Sequence, residues 1–283
     1  ETGAVEAAVE GEPIEIGGTE VAPGSREDVE IHVERLASGP WISIPAIVLH
    51  GRRPGPKLSV SAAVHGDEIN GVEVVRRLVT DVRPEELAGT LIAVPVVNQL
   101  GFMSGQRYLP DRRDLNRSFP GSSRGSLTAQ LAHRFVTEVV HRSDVGLDFH
   151  TGSDHRTNLP QLRVDLSIPE VRRMAAAFCA PATVNATYRD GSLRTYCSRK
   201  GIPILVFEGG EAHRFNESAV RAGVEGTLRV LSSLEMWSGD VPPPALGTVL
   251  VEHSRWERAR RSGIVRIDVH PGQRVDKGEQ LGV

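Results

Sequence analysis

Cysteine is scarce in this chain of 283 residues: there are two, Cys179 and Cys197, with no CxxC spacing. A chain this long buries a sizeable core without disulfides, so the two thiols are expected to be buried and free, in a reducing compartment such as the cytoplasm. Neither sign of charge dominates, since 33 basic and 36 acidic residues are intermixed for a formal net charge of −3. That balance provides no field to attract nucleic acid or anionic lipid, and function is expected in a local site that takes a small molecule. Uninterrupted apolar stretches are short. None approaches the roughly 20 residues of a membrane span. The polar N-terminus has no charged-then-apolar signal pattern, although a chain that opens on Glu1 leaves a targeting segment ahead of it open. No repeat of roughly 20 to 50 residues is visible. Nothing in these numbers selects an oligomeric state, and a homo-oligomer is compatible with them.

The pattern divides the chain in three. Residues 1–27 are rich in Gly, Glu and Pro and read as a flexible segment; residues 28–240 read as one α/β domain; residues 241–283 read as a small β-domain. Alternation at 29–33 and 42–49 predicts an antiparallel ribbon at a sheet edge. Continuous apolar runs at 58–64, 91–97, 145–149 and 202–207 predict strands buried on both faces, as in a largely parallel sheet covered by helices. Leu127, Leu131, Phe135 and Val139, behind Ser126 as N-cap, predict one helix, and Val72, Val75, Leu78 and Val79 another. Residues 98–125 show no convincing element, and a loop that long suggests function. The prolines at 242–244 read as a linker, and 247–251 and 263–269 as short strands of the C-terminal unit.

Chemistry concentrates where strands end. His65-Gly66-Asp67-Glu68 closes the run at 58–64, and Asp148-Phe149-His150 closes another. In an open α/β sheet the carboxyl ends of neighbouring strands converge on one crevice, so His65, Glu68 and His150 can supply the three protein ligands of a catalytic zinc ion, one per chain. The other eight histidines lack such a setting and read as surface or structural. Metal-activated water needs a proton acceptor, and Glu208 follows the run at 202–207 and precedes Gly209-Gly210, with Glu211 as competitor. In the loop, Asn116 and Arg117 suit a substrate carboxylate, while Arg107 suits the polarisation of a scissile carbonyl.

Together, His65-Gly66-Asp67-Glu68, Asp114-Leu115-Asn116-Arg117, Asp148-Phe149-His150-Thr151-Gly152 and Phe207-Glu208-Gly209-Gly210 resemble the succinylglutamate desuccinylase and aspartoacylase family, relatives of the zinc carboxypeptidases. The resemblance implies zinc on His65, Glu68 and His150, Glu208 as general base and then acid, and Asn116 with Arg117 on a substrate carboxylate. It implies a carbonyl-polarising arginine at Arg107, with Arg112 or Arg113 as alternatives because the spacing to Asp114 is longer than usual. It also implies a further substrate arginine at Arg194 or Arg199. Residues 263–283 resemble half of a barrel-sandwich hybrid that acts as a lid or wall; Lys277 lacks the setting of a carrier lysine and reads as solvated. The expected activity is zinc-dependent deacylation of a small N-acyl amino acid. A metallocarboxypeptidase and a non-catalytic binding module on a hydrolase fold are the competing expectations.

Overall fold

A computed structural model describes residues 11–283 apart from 154 and 245. The chain begins with strands β1 (Ile14–Ile16), β2 (Thr19–Val21), β3 (Ser25–Arg35), β4 (Trp41–His50) and β5 (Arg53–Ala62). Helix α1 (Asn70–Asp81), strand β6 (Ala88–Val94), helices α2 (Gln99–Ser104) and α3 (Leu127–Glu138) and strand β7 (Val145–Gly152) follow. Then come β8 (Asn158–Val164), α4 (Pro169–Phe178), β9 (Ala182–Asn185), α5 (Leu193–Arg199), β10 (Ile204–Glu211), α6 (Glu217–Ser233) and β11 (Val249–Val251).

Nine strands form one sheet in the order β11-β9-β8-β10-β7-β5-β6-β4-β3. At its centre β10, β7, β5 and β6 run parallel, β8 is antiparallel to β10, and β4 and β3 complete the other edge antiparallel. The expected mixed, largely parallel sheet is therefore present, with the ribbon of β3 and β4 at its edge. Both faces are covered. Val145, Leu147 and Phe149 of β7 and Leu205 and Phe207 of β10 join a core with residues of α1, α4 and α6. The Phe149, Phe178 and Phe207 rings meet there, with centroids 5.3 and 5.5 Å apart. Because strand side chains alternate, this assigns Asp148, His150 and Glu208 to the opposite face, toward α3, α5 and the loop after α2.

The helices follow their apolar spacing. α1 buries Val74, Val75, Leu78 and Val79. α3 is capped by Ser126, whose hydroxyl accepts from the Ala129 amide, and buries Leu131, Phe135 and Val136. Cys197 is buried, which pushes its thiol up to about 12, while Cys179 is half-buried; both are free.

Three expectations differ from the structure. Of the segment read as flexible, residues 1–10 lie outside the described residues, but β1 and β2 pair as a hairpin whose Ile16 and Val21 are fully buried. Its two buried side chains, too few to register as a pattern, find their partners in Val29 and Ile31 of β3. The loop at 98–125 contains α2, a six-residue helix whose Asn98 cap accepts from the Gly101 amide, and a short 3-10 turn at Leu115–Arg117. In the segment read as a separate β-domain, β11 instead pairs with the open edge of β9 in the main sheet, and 263–269 form no strand. One antiparallel bridge, Ile267 to Gly282, interrupts the otherwise irregular backbone from 252 onward.

Phe178, fully buried against Phe207 and over Gly226, is a clean test of the core beneath the site. Phe178→Ala is expected to cost about 3–5 kcal/mol in urea unfolding. A loss below about 1 kcal/mol would show that α4 does not seal this face.

Candidate metal centre and its cavity

The His65 turn owes its shape to a close approach. β5 ends at Ala62, and Ala63 adopts a positive φ of 48° that swings the chain out of the sheet. A Cβ on Gly66 would lie 2.0 Å from the Gly101 carbonyl carbon and 2.2 Å from the Phe102 nitrogen, so only glycine lets α2 rest against the turn. The Glu68 amide then closes the turn on the His65 carbonyl at 3.1 Å.

Tertiary structure brings His150 to the same point. β7 and β5 are parallel neighbours, and one ligand atom from each of His65, Glu68 and His150 lies within 4.8 Å of the others, all three residues being buried. His65 Nδ1 is 2.8 Å from Glu68 Oε1, and His150 Nδ1 is 2.8 Å from Glu68 Oε2. The far nitrogens are also engaged: His65 Nε2 meets Asp114 Oδ1 at 3.1 Å, and His150 Nε2 meets Asp148 Oδ2 at 2.8 Å. Asp148 is itself held by the Ser61 hydroxyl at 2.8 Å. Carboxylates behind the histidines set ring orientation and tautomer in metal sites.

The electrostatics point the same way. Burial opposes ionisation of Glu68, but His65 and His150 outweigh it and hold the carboxyl well below its usual range. Burial likewise opposes protonation of the imidazoles, yet Glu68 and Asp114 raise His65, and Asp148 and Glu68 raise His150 further. Each ring faces a carboxylate at both nitrogens, whereas a neutral imidazole has only one N–H to donate. A cation between the two Nδ1 atoms and Glu68 resolves that conflict, leaving each Nε2–H to its aspartate. The donor set thus fits a divalent metal ion held by His65, Glu68 and His150.

A cavity of ≈ 210 Å³ opens over this cluster, and its walls include the first choices from sequence, His65, Glu68, His150, Glu208, Arg107, Asn116, Arg117 and Arg194, but none of the alternatives Glu211, Arg112, Arg113 and Arg199. Glu208 is directly opposite His150 in the β10–β7 register. Asn158 of β8 donates to its Oε2 at 2.6 Å, and Arg163 approaches its Oε1 at 3.8 Å. Glu211 is occupied elsewhere, by Thr157 and Arg214. Gly210 has a positive φ of 72° and lies so close to Asn216 and Asn70 that a Cβ would fall 2.3 and 2.5 Å from them. The positive φ and these two asparagines together require glycine there.

Arg107 donates to Glu68 Oε1 at 2.9 Å and to Asp114 at 3.3 Å, whereas Arg112 and Arg113 are exposed. Asn116 accepts from the Leu193 amide at 2.9 Å, fixing its side chain against the start of α5. Arg194 joins the cavity wall, while Arg199 pairs with Asp190. Sequence reasoning passed over Asp114 and Asp148 as carboxylates behind the histidines. A period of two along β7 puts Asp148 on the face of His150, a signal that was present. It also passed over Asn158, Arg163, Arg189 and Trp256, which line the cavity from later segments and have no motif to mark them.

Equilibrium titration with zinc is expected to fill one site per chain, and His150→Ala to abolish it. Asp148→Asn is expected to weaken metal binding by about 10–100-fold through His150. Unchanged affinity in both variants would show that this cluster is not a metal site.

Comparison with known proteins agrees with the geometry. The succinylglutamate desuccinylase/aspartoacylase catalytic-domain profile matches residues 54–234, more than half the chain. An N-alpha-acetyl-L-2,4-diaminobutyric acid deacetylase of Halomonas elongata is 38% identical over 251 residues, covering 85% of this chain and 73% of that protein. The crystal structure of a succinylglutamate desuccinylase/aspartoacylase from Rhodobacter sphaeroides superposes with a TM-score of 0.81 at 29% identity, covering 91% of this chain and 82% of that one. The product-bound ectoine utilization protein EutE (DoeB) of Ruegeria pomeroyi shares the fold, with a TM-score of 0.82 at 23% identity over 98% of this chain and 86% of its own. The four motifs around the cavity and the profile that spans them have one source: the chain belongs to the succinylglutamate desuccinylase/aspartoacylase family.

Proposed function

We propose that this chain is a zinc-dependent amidohydrolase that removes the acyl group from a small N-acyl amino acid, in a reducing compartment such as the cytoplasm. The observation that carries the reading is the convergence of the His65, Glu68 and His150 cluster, the Glu208 carboxylate and an arginine-rich wall on one cavity. The name of the Halomonas elongata relative makes an N-acetylated diamino acid the first substrate to try.

Zinc held by His65, Glu68 and His150 would supply Lewis-acid polarisation and lower the pKa of water toward neutrality. Glu208 accepts a proton from the attacking water as its oxygen bonds to the carbonyl carbon. It returns that proton to the amide nitrogen as the C–N bond breaks, releasing a carboxylic acid and the free amine. Asn158 donates to one Glu208 oxygen and Arg163 approaches the other, so the carboxylate that carries the proton is oriented from β8. Arg107 offers its guanidinium to the carbonyl oxygen as negative charge grows there, a service whose loss typically costs about 10²–10³-fold in rate. Asn116, Arg117 and Arg194 bind the amino acid carboxylate and set the carbonyl against the metal.

Assay of acetyl, succinyl and aspartyl amides of amino acids beside short peptides separates the readings. Turnover of the acyl amino acids is expected; turnover of peptides alone would make the chain a carboxypeptidase, and none at all with zinc bound would make it a binding module. Glu208→Gln is expected to retain zinc while kcat falls by at least about 10²-fold. Wild-type kcat in that variant would remove Glu208 from the mechanism.

A further inference from the structure

Arg194 has an unusual support. Arg194 lines the main cavity, yet two of its guanidinium nitrogens donate to the Ala186 carbonyl, at 3.0 Å, and to the Thr187 carbonyl. Its Cζ stands 5.0 Å from the ring centre of Tyr188, so the cation lies over an aromatic face. Tyr188 is outside the cavity wall and is anchored at its far end. Its hydroxyl donates to Asp165 Oδ2 at 2.7 Å and accepts from Ser198 at 2.8 Å. Asp165 is fixed in turn by the hydroxyl and amide of Ser167. A path of contacts therefore runs from the end of β8 through Asp165 and Tyr188 to Arg194 on α5.

The arrangement is costly to maintain. Burial disfavours the charge on Arg194 and nearby Arg163 and Arg189 repel it, which together outweigh the attraction of Tyr188 and Asp165. Arg163 and Arg189 line the same cavity. No carboxylate pairs with Arg194 within salt-bridge distance among the described residues. Carbonyl oxygens and an aromatic face attract a cation without neutralising it, so the positive charge remains available to an incoming anion. Tyr188 also belongs to the loop whose carbonyls receive Arg194, so anchoring the phenol steadies both parts of the guanidinium's support.

We propose that Tyr188, tied down by Asp165, is a positioning residue that holds Arg194 in the cavity wall for the carboxylate of the substrate. This rests on the reading of the cavity as an N-acyl amino acid site. The test compares the best acyl amino acid of the panel above with its carboxamide, which lacks the charge Arg194 would meet. Tyr188→Leu is expected to raise KM for the carboxylate substrate about fivefold or more, leave kcat within about twofold, and leave KM for the carboxamide unchanged. Tyr188→Phe, which keeps the ring, is expected to recover most of the affinity. Should Tyr188→Leu not fold, Asp165→Asn, which loosens the phenol's anchor, is expected to raise the same KM selectively. Arg194→Ala separates the two levels of the argument. If it raises KM for the carboxylate substrate selectively and Tyr188→Leu does not, or affects both substrates equally, the positioning role is wrong while the site reading stands. If Arg194→Ala has no selective effect, or nothing in the panel is turned over, the reading of Arg194 falls and the positioning role with it.

Discussion

Glu68 is a carboxylate with 1% of its surface exposed, and such a charge persists inside a protein only when donors or cations surround it. Here both oxygens are fully engaged: Oε1 by His65 and Arg107, Oε2 by His150 and the Thr151 amide. These contacts join the turn after β5, the loop after α2 and the end of β7. If any of the three segments shifted, a buried anion would lose a partner. The demand of one carboxylate for compensation therefore holds together the parts of the chain that form the site, and a metal cation meets that demand with the same side chains.

The sheet makes this economical. β5, β7 and β10 are adjacent and parallel, so their carboxyl ends open on one side, and the pleat sends alternate residues to opposite faces. Phe149 and Phe207 go to the helical core while His150 and Glu208, directly opposite one another, go to the cavity. Packing and chemistry share each strand without sharing a face. A close backbone approach at Gly66 seats α2 against the His65 turn, and Gly210 packs against the Asn70 and Asn216 side chains.

Charges of both signs surround the cavity. Asp114 and Asp148 stand behind the histidines, and Arg117, Arg163, Arg189 and Arg194 line the wall. Arg107 belongs to the cluster itself, bonded to Glu68 and Asp114.

Much of this was legible in order along the chain. The apolar runs that became β5, β6, β7 and β10, the stripe that became α3, and the histidine and carboxylate side chains at or near strand ends are local patterns, because burial and periodicity act on neighbouring residues. β1 and β2 were not legible, since two buried residues make no period, and neither was the docking of β11 on β9, since a short apolar run does not name its partner. The arginines mark the boundary most clearly. The sequence alone determined that His65, Glu68, His150 and Glu208 stand at the ends of buried strands. Only the tertiary structure decided that Arg107 rather than Arg112 or Arg113 turns inward, that Arg194 rather than Arg199 lines the wall, and that Asp114 and Asp148 stand behind the histidines. Those choices depend on which distant backbone passes within hydrogen-bonding reach, a property of the folded sheet that no local spacing encodes.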